Sequence, residues 1–479
     1  MYDVIIIGAG VVGSMVAYEL SRLDVSVAVL EAASDAASGA SGANSGIVHA
    51  GFDAEPGTLK ARFNREGSLM MESLCADLGV KYKRNGALVI GFEGDEEKIL
   101  ELYNRGVKNG IDGLSVIGRD ELLRIEPSVS PLATSALLAS TSAIVCPYSL
   151  CVAALGAAMD GGVRLFTDFN VSAIRSGSGM YTAGSTDGKA VTGKYVVNAA
   201  GVYSDNVASL VGDHSFTVRP RRGQYMLLDR VCADTAPGRT IFTAPTKMGK
   251  GILVSPTADG NIILGPTAED IDDKDDTGTV KDSLDYVART AKAMVPGIKI
   301  SPITSFSGIR AVGSDGDFII RESSKDFITL GGIESPGLTS APAIGRYVRE
   351  MLVGMGLTDR INPGFVKGRL PLRRCEELDD EELDALIKED PAYGRIVCRC
   401  EGISEGEIRD AIISNPRPRT LDGIKHRVRA GMGRCQGGFC SPTVISMIAR
   451  ENGMELKDVT LFGKGSYIVT GRTKDGNCK

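Results

Sequence analysis

The sequence predicts an α/β chain that opens on a parallel-sheet domain and closes on a small cysteine-bearing module. Three observations predict it. The apolar run Tyr2–Ile7 leads straight into Gly8-Ala9-Gly10-Val11-Val12-Gly13, a helical pattern and a second apolar strand ending in Glu31. Two later strands, Tyr195-Val196-Val197-Asn198 and residues 327–330, also break into small-residue turns, at Ala199-Ala200-Gly201 and Gly331-Gly332. Four cysteines, Cys398, Cys400, Cys435 and Cys440, gather beyond a charged stretch near the carboxyl end.

The first element is a nucleotide-binding turn of the Rossmann-like kind. Gly8 permits the tight turn, Gly10 lets the backbone approach a pyrophosphate, Gly13 lets helix pack on strand, and the helix amino end stabilises the phosphate charge. Glu31 follows Gly13 by 18 residues, where a carboxylate accepts hydrogen bonds from the ribose hydroxyls of an adenosine and repels a 2′-phosphate, which disfavours NADP. The second and third turns add Ala200 and Gly201, then Gly332 and, within Ser335-Pro336-Gly337-Leu338-Thr339, the contacts Gly337, Leu338 and Thr339. A helix beginning there points its positive end at whatever occupies the turn, which suits the anionic N1 and O2 edge of a reduced flavin. Three such turns in this order favour non-covalently bound FAD over NAD.

Composition limits the partners. The 479 residues carry a net charge of −6, which argues against nucleic acid. No basic-apolar-small leader precedes the first strand and no uninterrupted apolar run approaches ~20 residues, so neither a signal peptide nor a membrane span is expected. The chain is therefore expected in the cytoplasm, where its ten cysteines are thiols or metal ligands sooner than disulfides.

Residues 1–365 read as one unit. Residues 366–392, with the acidic run 376–382, read as a surface connector, 393–458 as the cysteine module, and 459–479 as a tail with strand character around Tyr467-Ile468-Val469 that packs back on a domain. Within the large unit, Gly42-Ala43-Asn44-Ser45-Gly46-Ile47-Val48-His49-Ala50-Gly51, Pro56-Gly57-Thr58-Leu59-Lys60-Ala61, Arg222-Gly223-Gln224-Tyr225 and the 335–339 string resemble L-2-hydroxyglutarate oxidases. More widely, the unit is similar to the FAD-dependent superfamily of D-amino acid oxidase and the glycerol-3-phosphate dehydrogenases. The resemblance implies FAD lying across the first domain, with Asn44, Ser45 and Gly46 facing the flavin. It also implies an inserted, mostly antiparallel substrate domain built from about 76–145 and 211–300.

Oxidising a secondary alcohol with a flavin needs a base for the hydroxyl proton and a cation for the substrate anion. His49, just after the 44–46 loop, is the candidate base, with a structural flavin contact as its alternative. Arg310, in Gly308-Ile309-Arg310, matches the position where the superfamily places a substrate-anchoring arginine, whose guanidinium forks onto carboxylate or phosphate. Arg222, Lys60, Lys247 and Lys250 are further candidates for anion contacts. His214 and His426 read as packing or surface residues.

Cys398-x-Cys400 and Cys435-x4-Cys440, separated by 34 residues, form a four-thiolate constellation. Its string Gly431-Met432-Gly433-Arg434-Cys435-Gln436-Gly437-Gly438-Phe439-Cys440 resembles the 2Fe–2S domain of bacterioferritin-associated ferredoxin. It is closer still to the cysteine domain of the anaerobic glycerol-3-phosphate dehydrogenase A subunit, which shares the longer second spacing. Tetrahedral zinc is the alternative. Lys425, His426, Arg427, Arg429 and Arg434 read either as a solvated helix face or as a docking surface for an electron-accepting partner, through which the chain could associate peripherally with a membrane. The two resemblances imply different substrates. The expected reaction is oxidation of sn-glycerol 3-phosphate, with L-2-hydroxyglutarate as the alternative substrate and a non-catalytic electron-transfer subunit as the alternative class.

Overall fold

The computed structural model describes residues 1–245, 251–369 and 371–471. Tyr2–Ile7 is the centre of the first sheet, parallel to Val27–Leu30 on one side and to Ala190–Asn198 on the other. Arg164–Phe166 extends the sheet beyond Val27–Leu30, and Phe327–Gly331 lies parallel to the end of Ala190–Asn198. Val4, Ile5, Ile6 and Ile7 are all buried, as expected of a strand covered on both faces. Each such side chain contributes about 1.5–3 kcal/mol on leaving water. The helices Val11–Leu20, Leu59–Leu78, Pro147–Asp160 and Gly337–Gly354 share one core with this sheet.

The second sheet has nine strands, antiparallel except where Thr240–Thr243 runs parallel to Ala87–Gly91. Its longest pairing joins Val218–Leu228 to Pro302–Gly313 along almost their whole length. That strand lies past the boundary expected at residue 300, and it carries Arg310. Main-chain pairing with Val218–Leu228 holds it in the second sheet although its sequence position adjoins the returning first domain.

The connector is more ordered than its charge suggests. Residues 376–382 lead into the helix Asp380–Glu389, where Asp379 and Glu382 form a reciprocal capping box. Acidic side chains in a first turn complement the helix dipole, so the acidic run starts a helix. After it, the hairpin Ile396–Cys398 and Ile403–Ser404 and the helices Glu405–Ile413, Leu421–Val428 and Ser441–Asn452 enclose their own apolar core. The tail does return to the first domain, with Ser34 Oγ donating to Phe462 O (2.8 Å), but around Tyr467 only a single bridge to Thr460 forms. Gly463 and Gly465, both at positive φ, turn the chain there before a strand can extend.

Two arginines of the basic cluster, Arg427 and Arg429, are buried in the seam between module and body, while Arg434 stays exposed at its edge. Arg427 forks onto Asp35 at 2.6 and 2.9 Å, with the two side chains 2% and 10% exposed. Arg429 donates to Glu401 (2.8 Å), Asp259 (3.0 Å) and Asn261 (2.7 Å), and Arg434 pairs with Asp229. His426 stacks on Tyr148, ring centroids 4.9 Å apart.

Burial holds His426 down to about 4 from an ordinary value of 6.5, with Asp422 and Asp35 opposing the shift and Lys425 and Arg427 adding to it. Because the folded value is depressed, the unfolded chain binds the extra proton. The His426 contribution is intact above about 6.5 and is lost progressively as pH falls towards about 4. Thermal unfolding between pH 7 and 5 should show this slope, and His426→Phe should flatten it. An unchanged slope in the variant would remove His426 as its source.

Candidate active site and cysteine centre

A single cavity of about 1220 Å³ runs from the first glycine turn to the second sheet. At one end Gly8 adopts φ +106, and a Cβ on Gly13 would stand 2.0 Å from Gly8 O, so both glycines are dictated by the turn. The half-buried Glu31 carboxylate accepts from Ala9 N (2.7 Å) and Ala33 N (2.9 Å), and desolvation raises its pKa. Ser41 Oγ accepts the Val11 N–H at the helix start (2.8 Å). Further along, Asn44 Oδ1 accepts Gly46 N (2.8 Å) while its amide donates to Ala40 O and Ser41 O, fixing the 44–46 loop.

The Thr339 hydroxyl accepts the His49 N–H (3.0 Å) and Asn64 Nδ2 donates to His49 O (2.9 Å), so the backbone of the candidate base is held from two helices. Its ring lies 6.1 Å from that of Phe242. Strand Pro302–Gly313 passes so close to the loop that a Cβ on Gly308 would stand 2.0 Å from Ala43 O, which brings Arg310 to the cavity wall. Arg310 donates to Thr267 O (3.0 Å) and fills the space left by Gly223, where a Cβ would lie 2.6 Å from its guanidinium. Tyr225 stands beside Arg310 and Ser45, which oppose the upward shift that burial gives its phenol.

The cavity gathers Gly8, Gly10, Glu31, Asn44, Ser45, His49, Lys60, Ala200, Gly201, Arg310, Gly337 and Leu338. Gly13, Gly46, Gly332 and Thr339 stand behind its wall; Gly332, at φ +63, packs on Gly313. Lys60 is committed to Glu334 (2.8 Å) and Gly316 O (2.9 Å). Lys247 and Lys250 lie outside the described residues. Arg222 is turned away and neutralised by Asp276 (2.6 Å) and Glu269 (3.0 Å). Side chains alternate along a strand, and in Val218–Leu228 the cavity face takes 221 and 225, so the lining arginine is Arg221, forked onto Asp270. Residues 223 and 225 share that parity, a signal present in the sequence. Lys274 was also missed; it lines the mouth, held by Asp205 (2.6 Å) and Asn206 (2.7 Å). Among the described residues Arg310 is thus the lining cation with no carboxylate partner.

The four cysteines of the module meet as two pairs. Cys400 and Cys435 thiols are 3.6 Å apart, and the interaction of Cys398 with Cys440 holds Cys398 down to about 6 and pushes Cys440 up. A Cβ on Gly433 would stand 2.3 Å from Cys400 Cβ, so a glycine there is what lets the two loops meet. Among the described residues no three His, Cys, Asp or Glu side chains converge as a ready cage for one ion. Two thiol pairs fit a two-iron centre, which takes two thiolates on each iron. The remaining cysteines Cys75, Cys146, Cys151, Cys232 and Cys375 are buried thiols, and Cys478 lies outside the described residues.

Comparison with known proteins finds a family match for each of the two regions. Residues 3–351 match the FAD dependent oxidoreductase family and residues 396–450 the BFD-like 2Fe-2S binding domain. A glycerol 3-phosphate dehydrogenase of Caloramator mitchellensis is 42% identical over 99% of both chains. The mitochondrial L-2-hydroxyglutarate dehydrogenase of Bos taurus is 33% identical over 56% of this chain and 61% of its own. The FAD-bound L-alpha-glycerophosphate oxidase of Mycoplasma pneumoniae superposes with a TM-score of 0.73 at 32% identity, covering 77% of this chain and 99% of that one. The chain belongs to the FAD dependent oxidoreductase family, with a BFD-like 2Fe–2S domain joined to its carboxyl side.

Proposed function

We propose that this chain oxidises sn-glycerol 3-phosphate at C2 to dihydroxyacetone phosphate and passes the electrons through its iron–sulfur domain to an electron-accepting partner. Arg310 carries the reading: a cation without a carboxylate partner among the described residues, set in the wall of a cavity that reaches the dinucleotide turn. The whole-length relative named a glycerol 3-phosphate dehydrogenase supports the substrate. When bound, FAD supplies a two-electron acceptor for the C2 hydrogen, and a 2Fe–2S centre supplies one-electron steps.

The chain's own residues do the rest. Gly8, Gly10, Glu31, Ala200, Gly201, Gly337 and Leu338 hold the dinucleotide. Arg310 forks onto the phosphate and fixes the substrate's orientation. His49 takes the proton of the C2 hydroxyl. The four cysteines ligate the iron. We place the protein in the cytoplasm, reaching the membrane only through its partner; among the described residues no helix is long and apolar enough to cross one.

L-2-hydroxyglutarate is the second reading, because the same guanidinium accepts a carboxylate and the Bos taurus relative matches the flavin-side strings. Anaerobic stopped-flow decides. Glycerol 3-phosphate should bleach the flavin rapidly; bleaching by L-2-hydroxyglutarate alone selects the second substrate, and bleaching by neither leaves an electron-transfer subunit. Cys435→Ser should retain flavin and bleach at the parental rate while losing iron and its low-temperature paramagnetic signal. One zinc and no iron in the parent protein would end the electron-relay part.

A further inference from the structure

The flavin side of the cavity and the cysteine module are joined by one short run of residues whose role the catalytic cycle has not yet used. Val145 N donates to Gly46 O (2.8 Å), and Ile144 pairs with Ile47, so the strand Ala143–Val145 is bonded directly to the loop and strand that carry Ser45 and His49. A Cβ on Gly46 would stand 2.4 Å from Val145 O, so the contact has no slack. That strand runs at once into the helix Pro147–Asp160, whose second residue is Tyr148. The Tyr148 hydroxyl donates to Met432 Sδ at 3.4 Å, while its ring stacks on His426. Met432 is buried, three residues before Cys435, and its neighbour Gly433 is the residue pressed against Cys400.

We propose that Tyr148 is the bridging contact through which electrons leave the flavin site for the iron–sulfur site. The inference rests on the reading of residues 44–46 as flavin-facing. Tyr148 itself is neither oxidised nor reduced. Each passage takes one electron from the reduced flavin and converts one ferric ion of the cluster to ferrous. The cluster is reoxidised by the external one-electron or quinone-linked acceptor before the second electron follows, and the flavin's proton goes to solvent. The contacts suit a bridge: the hydroxyl donates to a polarisable thioether sulfur, and burial keeps the phenol protonated by raising its pKa, so it forms no tyrosinate. Met432 and His426 belong to the module and Tyr148 to the body, so these contacts cross the seam.

Tyr148→Phe keeps the ring on His426 and removes only the hydroxyl that meets Met432; Met432→Leu removes the sulfur from the other side at similar volume. The flavin of each holoprotein is reduced anaerobically, by glycerol 3-phosphate and separately by light. Reduction of the cluster is then followed by absorbance and by rapid-freeze paramagnetic resonance, with no external acceptor present. Both variants should fill the cluster severalfold more slowly than the parent. Flavin content, iron content, the midpoint potentials of both centres and the rate of flavin bleaching by substrate should stay at parental values. The double variant should be no slower than the slower single one, because both remove the same contact. Cluster filling at the parental rate in both single variants overturns the bridge, as does slowing that a shifted potential accounts for. Failure of glycerol 3-phosphate to bleach the parent flavin overturns the substrate assignment instead, and the light-driven arm still reads the bridge.

Discussion

Replacing Arg310 by methionine should lower kcat/KM for the anionic substrate by about 2–5 kcal/mol, the range for removing one partner of a buried charge pair. Flavin content should be unchanged. The size follows from the surroundings, since Lys60, Arg221 and Lys274 are each held by carboxylates and cannot take over the anion. The loss should appear in kcat as well as KM, because the guanidinium both binds the anion and orients the reacting carbon. Arg310→Lys keeps the charge without the planar fork and should lose about 1–3 kcal/mol. Gly223→Ala gives an independent route, since its Cβ would stand 2.6 Å from the guanidinium and should displace it with the arginine still present. Steady-state kinetics on the three variants settles the matter: parental kcat/KM in Arg310→Met would move the anion site elsewhere.

The second large effect belongs to the seam. Arg427→Met leaves the Asp35 carboxylate buried without its guanidinium, and breaking a pair of this kind typically destabilises by about 3–5 kcal/mol. The variant should release the cysteine module to proteolysis at lower temperature than the parent, in a separate unfolding step, with substrate-driven flavin bleaching retained at low temperature. Combining it with Asp35→Leu should recover much of the loss, because an apolar pair of similar volume removes the stranded charge. Calorimetry and limited proteolysis together test this. A single variant that melts with the parent profile would show that the pair does not hold the module.

What was legible in the sequence was what neighbours in the chain determine. The Gly8–Gly13 spacing, Glu31 at the end of the second strand and the four cysteines depend on short segments whose geometry the residues themselves impose. Arg310 entered through the resemblance of Gly308-Ile309-Arg310 to the superfamily, and the structure puts it in the cavity wall. Arg222 was not: choosing between Arg221 and Arg222 requires knowing which face of Val218–Leu228 meets the cavity. The acidic run before residue 383 looked like solvated charge because capping depends on where the helix begins. The basic cluster misled for a different reason. Its partners Asp35, Asp259 and Asp229 lie 392, 170 and 205 residues away in sequence from Arg427, Arg429 and Arg434, and no local pattern announces a counter-charge at such a distance.

Those distant aspartates bear on how such a chain can arise by fusion. A module that carries Arg427 and Arg429 as seam residues docks fully only on a body that already presents acids at positions 35 and 259. Appended to a free-standing oxidase lacking them, it would bring Arg427 into a dry contact with no carboxylate to neutralise it and leave Arg429 only its own module's Glu401, and the joint would stay open. The two halves are therefore not interchangeable parts: an exchange of modules between relatives should succeed only when the aspartates travel with the arginines, and it is the acceptor body that has to change first.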